Sequence, residues 1–202
     1  MSLFNPEDPF EIDLISITER AAVFNVEIKR INAKMDNAIM SYKDFVTYIE
    51  AILAISNSTS DYWKLNVVND NKFLTKKQSV LLENPEDINE RLIATFEYHV
   101  VYNISYAVPV LCFDVWNQNG SRISLEDYWK YNKHLRDFNM HDTLTQTDHP
   151  ALNRPIFAFH PCKTHEILKG FARTSKNPIV SWLSVVRHFV HLELLETYIK
   201  NC

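Results

Sequence analysis

Glycine is almost missing from this chain: 202 residues contain two, Gly120 and Gly170. A loop that cradles phosphate needs several closely spaced glycines, because its backbone must approach the anion in conformations other residues avoid. Two so far apart exclude a P-loop and a dinucleotide-binding fingerprint, so the chain spends no nucleotide of its own. Cysteine is scarce as well. Cys112, Cys162 and Cys202 are odd in number and widely spaced, which argues against a disulfide framework and against a Cys-x-x-Cys zinc or redox pair. No apolar run approaches the roughly 18 residues that span a bilayer. The opening "MSLFNPEDPFEID" has neither the basic start nor the apolar stretch of a secretory signal. Excess positive charge is lacking too: 21 Lys and Arg face 25 Asp and Glu, a formal net charge of −4. No overall basic field points to nucleic acid. The expected setting is the cytosol, with free thiols and no integral membrane segment.

What is present is apolar and aromatic. Hydrophobic residues make up 46% and aromatics 12% of the chain, enough for one domain with its own core. Residues 1–40 mix β-branched residues with helix formers and read as an N-terminal extension. Residues 41–202 read as the catalytic domain. Ser41 is placed as an N-cap, and Phe45, Ile49, Ile52 and Leu53 follow at helical spacing. Strands are expected at Tyr62 to Val68, Ser79 to Glu83, Ala94 to Ile104 and Ala107 to Trp116. The third alternates Phe96, Tyr98, Val100 and Tyr102 with a second face, and a tight turn joins it to the fourth as a hairpin. Pro109 has no amide hydrogen and belongs at a bulge or an edge. Ser124 caps a short helix. Residues 136–153 read as a long irregular stretch, and Asn177 to Lys200 as a closing helix. Helix, strands, then helices predict an α+β fold, an antiparallel sheet covered by helices.

The chemistry concentrates in "FHPCK", Phe159 to Lys163. A strand ending in His-Pro-Cys places a thiol at the rim of a sheet, with His160 two residues away, Lys163 adjacent and a short helix, "THEILKGF", after it. An imidazole, a cation and a helix N-terminus each favour a reactive thiolate. The same cysteine also reads as a small packed residue at a strand end. A metal reading draws on His160, Cys162 and His165, with His188 and His191 one helical turn apart. A protease reading pairs Cys162 with His149 and with Asp148 or Asp142. Cys112 reads as packed, and Cys202 as terminal and inert. The aromatic runs at Asp61 to Trp63 and Asp127 to Tyr131 read as core and partner-binding anchors.

Four blocks carry a family resemblance: "FEYHVVYNISYAVPVLCF" (Phe96 to Phe113), "DTLTQTDHPALNRP" (Asp142 to Pro155), "FAFHPCKT" (Phe157 to Thr164) and "SWLSVV" (Ser181 to Val186). In that order they resemble the autophagy ubiquitin-like conjugating enzymes, of the type that joins autophagy-related protein twelve to autophagy-related protein five. The resemblance is fainter from Ser41 to Glu83. The branch that lipidates another ubiquitin-like protein shares His-Pro-Cys but carries a long acidic insertion, which this chain lacks.

The resemblance implies a ubiquitin-conjugating-enzyme-like fold and a thioester carrier. Cys162 would take the C-terminal glycine of the ubiquitin-like donor from the activating enzyme, autophagy-related protein seven, and pass it to a lysine of the acceptor. The activating enzyme uses the ATP, so no cofactor and no metal are implied here. Ubiquitin-conjugating enzymes in general offer an asparagine in a His-Pro-Asn element for the oxyanion; here His-Pro runs straight into the cysteine. His160 and the phenol of Tyr106, from the neighbouring hairpin, are the expected helpers. A cysteine-nucleophile hydrolase and a non-catalytic adaptor are the rival classes.

Overall fold

The computed structural model describes residues 40–84, 86–132, 143–171 and 174–200. The expected extension over residues 1–40 therefore lies outside the described residues, Met40 excepted, as does Cys202.

Ser41 opens the first helix, α1 (Tyr42–Thr59), and its hydroxyl accepts the amide of Asp44. That bond satisfies one of the amides a helix start leaves unpaired. Phe45, Ile49 and Ile52 fall on one stripe and are fully buried. The helix ends at Ser60, left-handed with φ 55°, whose N–H reaches the Ser56 carbonyl.

Strands β1 (Lys64–Val68), β2 (Asn71–Asn84), β3 (Asp87–Asn103), β4 (Val108–Asn117), β5 (Leu144–Asp148) and β6 (Pro155–Phe159) form one antiparallel sheet in the order β1-β2-β3-β4-β6-β5. Cross-strand pairing puts Tyr98, Phe113 and Phe157 in one row and His99, Cys112 and Ala158 in the next. Paired residues share a face and successive residues alternate, so these rows lie on opposite faces. The first face carries the core. Tyr98 donates to the Val190 carbonyl at 2.7 Å, Tyr128 of helix α2 (Leu125–Lys130) donates to the Phe189 carbonyl at 3.1 Å, and Phe45 of α1 packs on Tyr102. Helices α3 (Pro161–Phe171) and α4 (Pro178–Val186) follow β6, and Asn177 caps α4 while its side-chain amide donates to Tyr48 in α1. The second face is partly closed by the β5–β6 loop. This is the α+β architecture expected from the sequence, with its helices on one face of an antiparallel sheet.

Beside the earlier start of β3, at Asp87 instead of Ala94, three stretches differ from expectation. The weak strand at Ser79 to Glu83 is the end of a strand that begins at Asn71. Its charged middle hid it, yet Lys76 is only 6% exposed because Asp61 and the Glu193 carbonyl take its ammonium at 2.6 and 3.1 Å. The irregular stretch at residues 136–153 contains β5. Leu144 points inward, but Gln146, Thr147 and Asp148 are exposed, so this polar edge strand lacks the apolar alternation that marks a half-buried strand. The closing helix is broken. After α4 come a 3₁₀ turn (Arg187–Phe189), His191 at φ 54°, and an extended run before helix α5 (Glu196–Lys200). Leu192 and Leu194 are buried while Glu193 and Leu195 are exposed. That run is pinned by Gln78, which donates to His191 O and accepts from Glu193 N. His191, named in the metal reading as one helical turn from His188, packs its ring near Phe96 and Tyr128.

Candidate active site

Strand β6 is buried from Ile156 to Phe159. His160 extends it by one bond, its N–H reaching the Thr143 carbonyl at 2.9 Å. Pro161 then begins α3, with its fixed φ and missing N–H suited to a first helical position. Cys162 is therefore inside the first turn of the helix rather than on the strand end, and it is exposed.

His160 is the cap of that helix. Its Nδ1 accepts the Cys162 amide at 3.2 Å, and its carbonyl accepts the amides of Lys163 and Thr164 at 3.0 and 3.3 Å. An imidazole accepting at Nδ1 is neutral and carries its proton on Nε2. Every amide of this first turn is thus spoken for. Pro161 has none, and the next three all end on His160. The first turn of α3 therefore offers no spare N–H of its own to a tetrahedral oxyanion.

Tyr106 lies in the β3–β4 turn and is 46% exposed. The turn is built on Asn103, whose Oδ1 accepts the amides of Ser105 and Tyr106. Because β4 and β6 pair antiparallel at Cys112–Ala158 and Phe113–Phe157, the start of β4 and the end of β6 share one end of the sheet. The structure brings the hairpin of Tyr106 and the helix start of Cys162 to that same end. No hydrogen bond joins the two among the described residues.

The protease constellation is not assembled. His149 follows β5 at the opposite end of β6 and is fully buried. Its Nδ1 accepts the amides of Ala151 and Leu152, which places its proton on Nε2, 3.0 Å from His99 Nδ1. Both nitrogens are engaged far from Cys162. Asp142 lies outside the described residues. The metal constellation fails too: among the described residues no group of three or more His, Cys, Asp or Glu stands together as a metal site. Cys112 is packed as expected, and burial pushes its thiol up to about 12. The imidazole cap and the His99–His149 pair were not read from the sequence. The cap had a signal, since His-Pro before a polar turn is a helix start with proline in first position; the pair, 50 residues apart, had none.

The family model described as "Autophagocytosis associated protein, active-site domain" matches residues 18–197. The chain belongs to this family. Its relatives within the family include ubiquitin-like-conjugating enzyme ATG10 of Homo sapiens, 40% identical over 119 residues that cover 54% of each chain. ATG10 of Arabidopsis thaliana is 33% identical over 112 residues, 49% of this chain and 50% of the relative. The matched region thus spans about half the length of these curated relatives. Among solved structures, the crystal structure of autophagic E2, Atg10, aligns with 78% of this chain and 100% of its own, at a TM-score of 0.51 and 13% identity. That likeness is one of fold, and it makes this sheet with its helices an E2-like fold of the ATG10 type. No described helix is long and apolar enough to cross a membrane.

Proposed function

We propose that this member of the autophagy active-site family is a ubiquitin-like conjugating enzyme with Cys162 as its acyl carrier. The observation that carries the reading is an exposed thiol in the first turn of α3, held by a neutral imidazole cap. In the charging step the Cys162 thiolate attacks the carbonyl carbon of the donor's thioester on the activating enzyme. A new S–C bond forms, and the activating enzyme's thiolate leaves. In the transfer step an uncharged lysine amine attacks the same carbon, a C–N bond forms, and the Cys162 thiolate departs while the amine proton passes to solvent or a base. The first step exchanges one thioester for another, so catalysis is needed in the second.

The finer assignment follows the ATG10 relatives, which support the twelve-to-five type over the lipidating branch. The donor is autophagy-related protein twelve, the activating enzyme is autophagy-related protein seven, and the acceptor is autophagy-related protein five. The Nε2–H of His160 and the hydroxyl of Tyr106 together supply or orient the donors at the oxyanion. With the charged enzyme isolated, Tyr106→Phe and His160→Asn should each slow discharge to a small amine by about 10²-fold. Asparagine is itself a good cap, so His160→Asn should keep its melting temperature. Wild-type discharge in both variants would remove these helpers.

The carrier reading is tested by mixing the chain with activating enzyme, ATP and donor. An adduct that dithiothreitol removes is the expected result. Steady turnover of a small nitrophenyl ester with no retained acyl group would instead mark a hydrolase.

A further inference from the structure

We infer that the tip of the β3–β4 hairpin, Ile104 with Tyr106, seats the C-terminal tail of the donor while the tail's carboxyl is bound to Cys162. The inference rests on the carrier reading. Ile104 is 85% exposed, more than any other large hydrophobic residue described, and Tyr106 beside it is 46% exposed. An exposed aliphatic at a tip is ordinary when the loop is slack; this loop is held. Asn103 takes the amides of Ser105 and Tyr106, and the Ala107 carbonyl accepts the amide of Met40 at 3.0 Å. Ala107 also sits at φ 51°, a conformation that alanine adopts only when its surroundings impose it. The fold thus fixes Ile104 outward.

Position and chemistry name the occupant. The tip and Cys162 lie towards one end of the sheet: β3 and β4 close at the tip, and β6 meets β4 at Cys112 and Phe113 before the chain runs on to Cys162. Residues Asn103 to Val108, "NISYAV", carry no charge. Beside the thiol, the ammonium of Lys163 is paired with Glu166 at 3.3 Å. A surface that is apolar and locally neutral fits an uncharged extended peptide, with affinity from buried side chains rather than from ion pairs. Held at the tip, such a tail keeps its acyl carbon fixed above Cys162 for the amine.

The experiment charges the full chain, stops the activating enzyme by removing ATP, and follows discharge to free lysine. Ile104→Ser should slow discharge about tenfold, and Ile104→Val should restore most of the rate. Alkylation of uncharged Cys162 by iodoacetamide should stay at the wild-type rate. Leu81→Ser, which removes a 52% exposed aliphatic towards the other end of the sheet, should change nothing. Slower charging with wild-type discharge in Ile104→Ser would make the tip a contact for the activating enzyme and overturn the inference. So would altered alkylation, or equal loss in Leu81→Ser. No adduct on the wild-type chain overturns the carrier reading itself, and this inference with it.

Discussion

Asp61→Ala should destabilise the domain by about 3–5 kcal/mol, the range for removing one partner of a buried ion pair. Asp61 and Lys76 are 8% and 6% exposed, and their charged atoms meet at 2.6 Å. The second carboxylate oxygen accepts the Tyr198 hydroxyl at 2.9 Å, and Lys76 also donates to the Glu193 carbonyl. Four parts of the chain therefore close on one pair: the exit of α1, strand β2, the extended tail and α5. Without Asp61 the ammonium has a single carbonyl and the Trp63 ring, 5.8 Å away, in place of an anion. The α5 tyrosine also loses its acceptor. For a domain of this size the melting temperature should fall by about 10 °C. Replacing both partners, Asp61→Leu with Lys76→Met, should recover most of that loss, because the cost lies in the stranded charge. A single variant as stable as wild type in urea unfolding would mean that Lys76 reaches water.

Acid should destabilise the fold through His99 and His149. Burial holds both imidazoles neutral, and each is pushed down to about 4. For His99 the Arg154 guanidinium adds to burial; for His149 the partner imidazole adds next, then Arg154. Asp114 opposes in both, and Lys77 adds to the effect at His99. Glu97 stands 3.6 Å from His99 Nε2, and Phe73 stacks on the His99 ring. The unfolded chain takes up these protons near the ordinary histidine value of about 6.5, and the folded chain only near 4. Between those limits the unfolded state binds more protons, so stability is complete above roughly pH 7 and falls as pH drops through the window. The slope is at most about 1.4 kcal/mol per pH unit for each imidazole. Urea midpoints at pH 7.5, 6.0 and 5.0 check it. The wild-type midpoint should drop steeply, and a His99→Leu, His149→Leu variant should drop less. Parallel curves would assign the acid sensitivity to carboxylates.

Local chemistry made some elements legible. Ser41 and Ser124 cap helices because a hydroxyl beside an acidic first turn has little else to do, and β3 alternates from Ala94 to Tyr98 because one face is core. Where a segment is shaped by distant partners, its own residues mislead. Lys76 looks like surface until Asp61 is placed beside it. The tail after Val186 continues a helical apolar pattern, but Gln78 and Lys76 draw it straight. At the site, the His-Pro-Cys run pointed to the thiol, its helix and its imidazole. That His160 consumes every amide of the first turn, through its ring nitrogen and its carbonyl, follows only from the folded geometry, and so does the shared sheet end of Ile104 and Cys162.

The central claim is that Cys162 carries an acyl group, and intact-mass analysis of the charging reaction tests it most directly. With activating enzyme, ATP and donor, the wild-type chain should gain one donor mass that dithiothreitol removes. Cys162→Ala should gain none, and Cys162→Ser should gain a mass that dithiothreitol leaves in place, as an oxygen ester would. A wild-type chain that stays uncharged beside an activating enzyme shown to hold the donor would contradict the account, as would an adduct that survives Cys162→Ala.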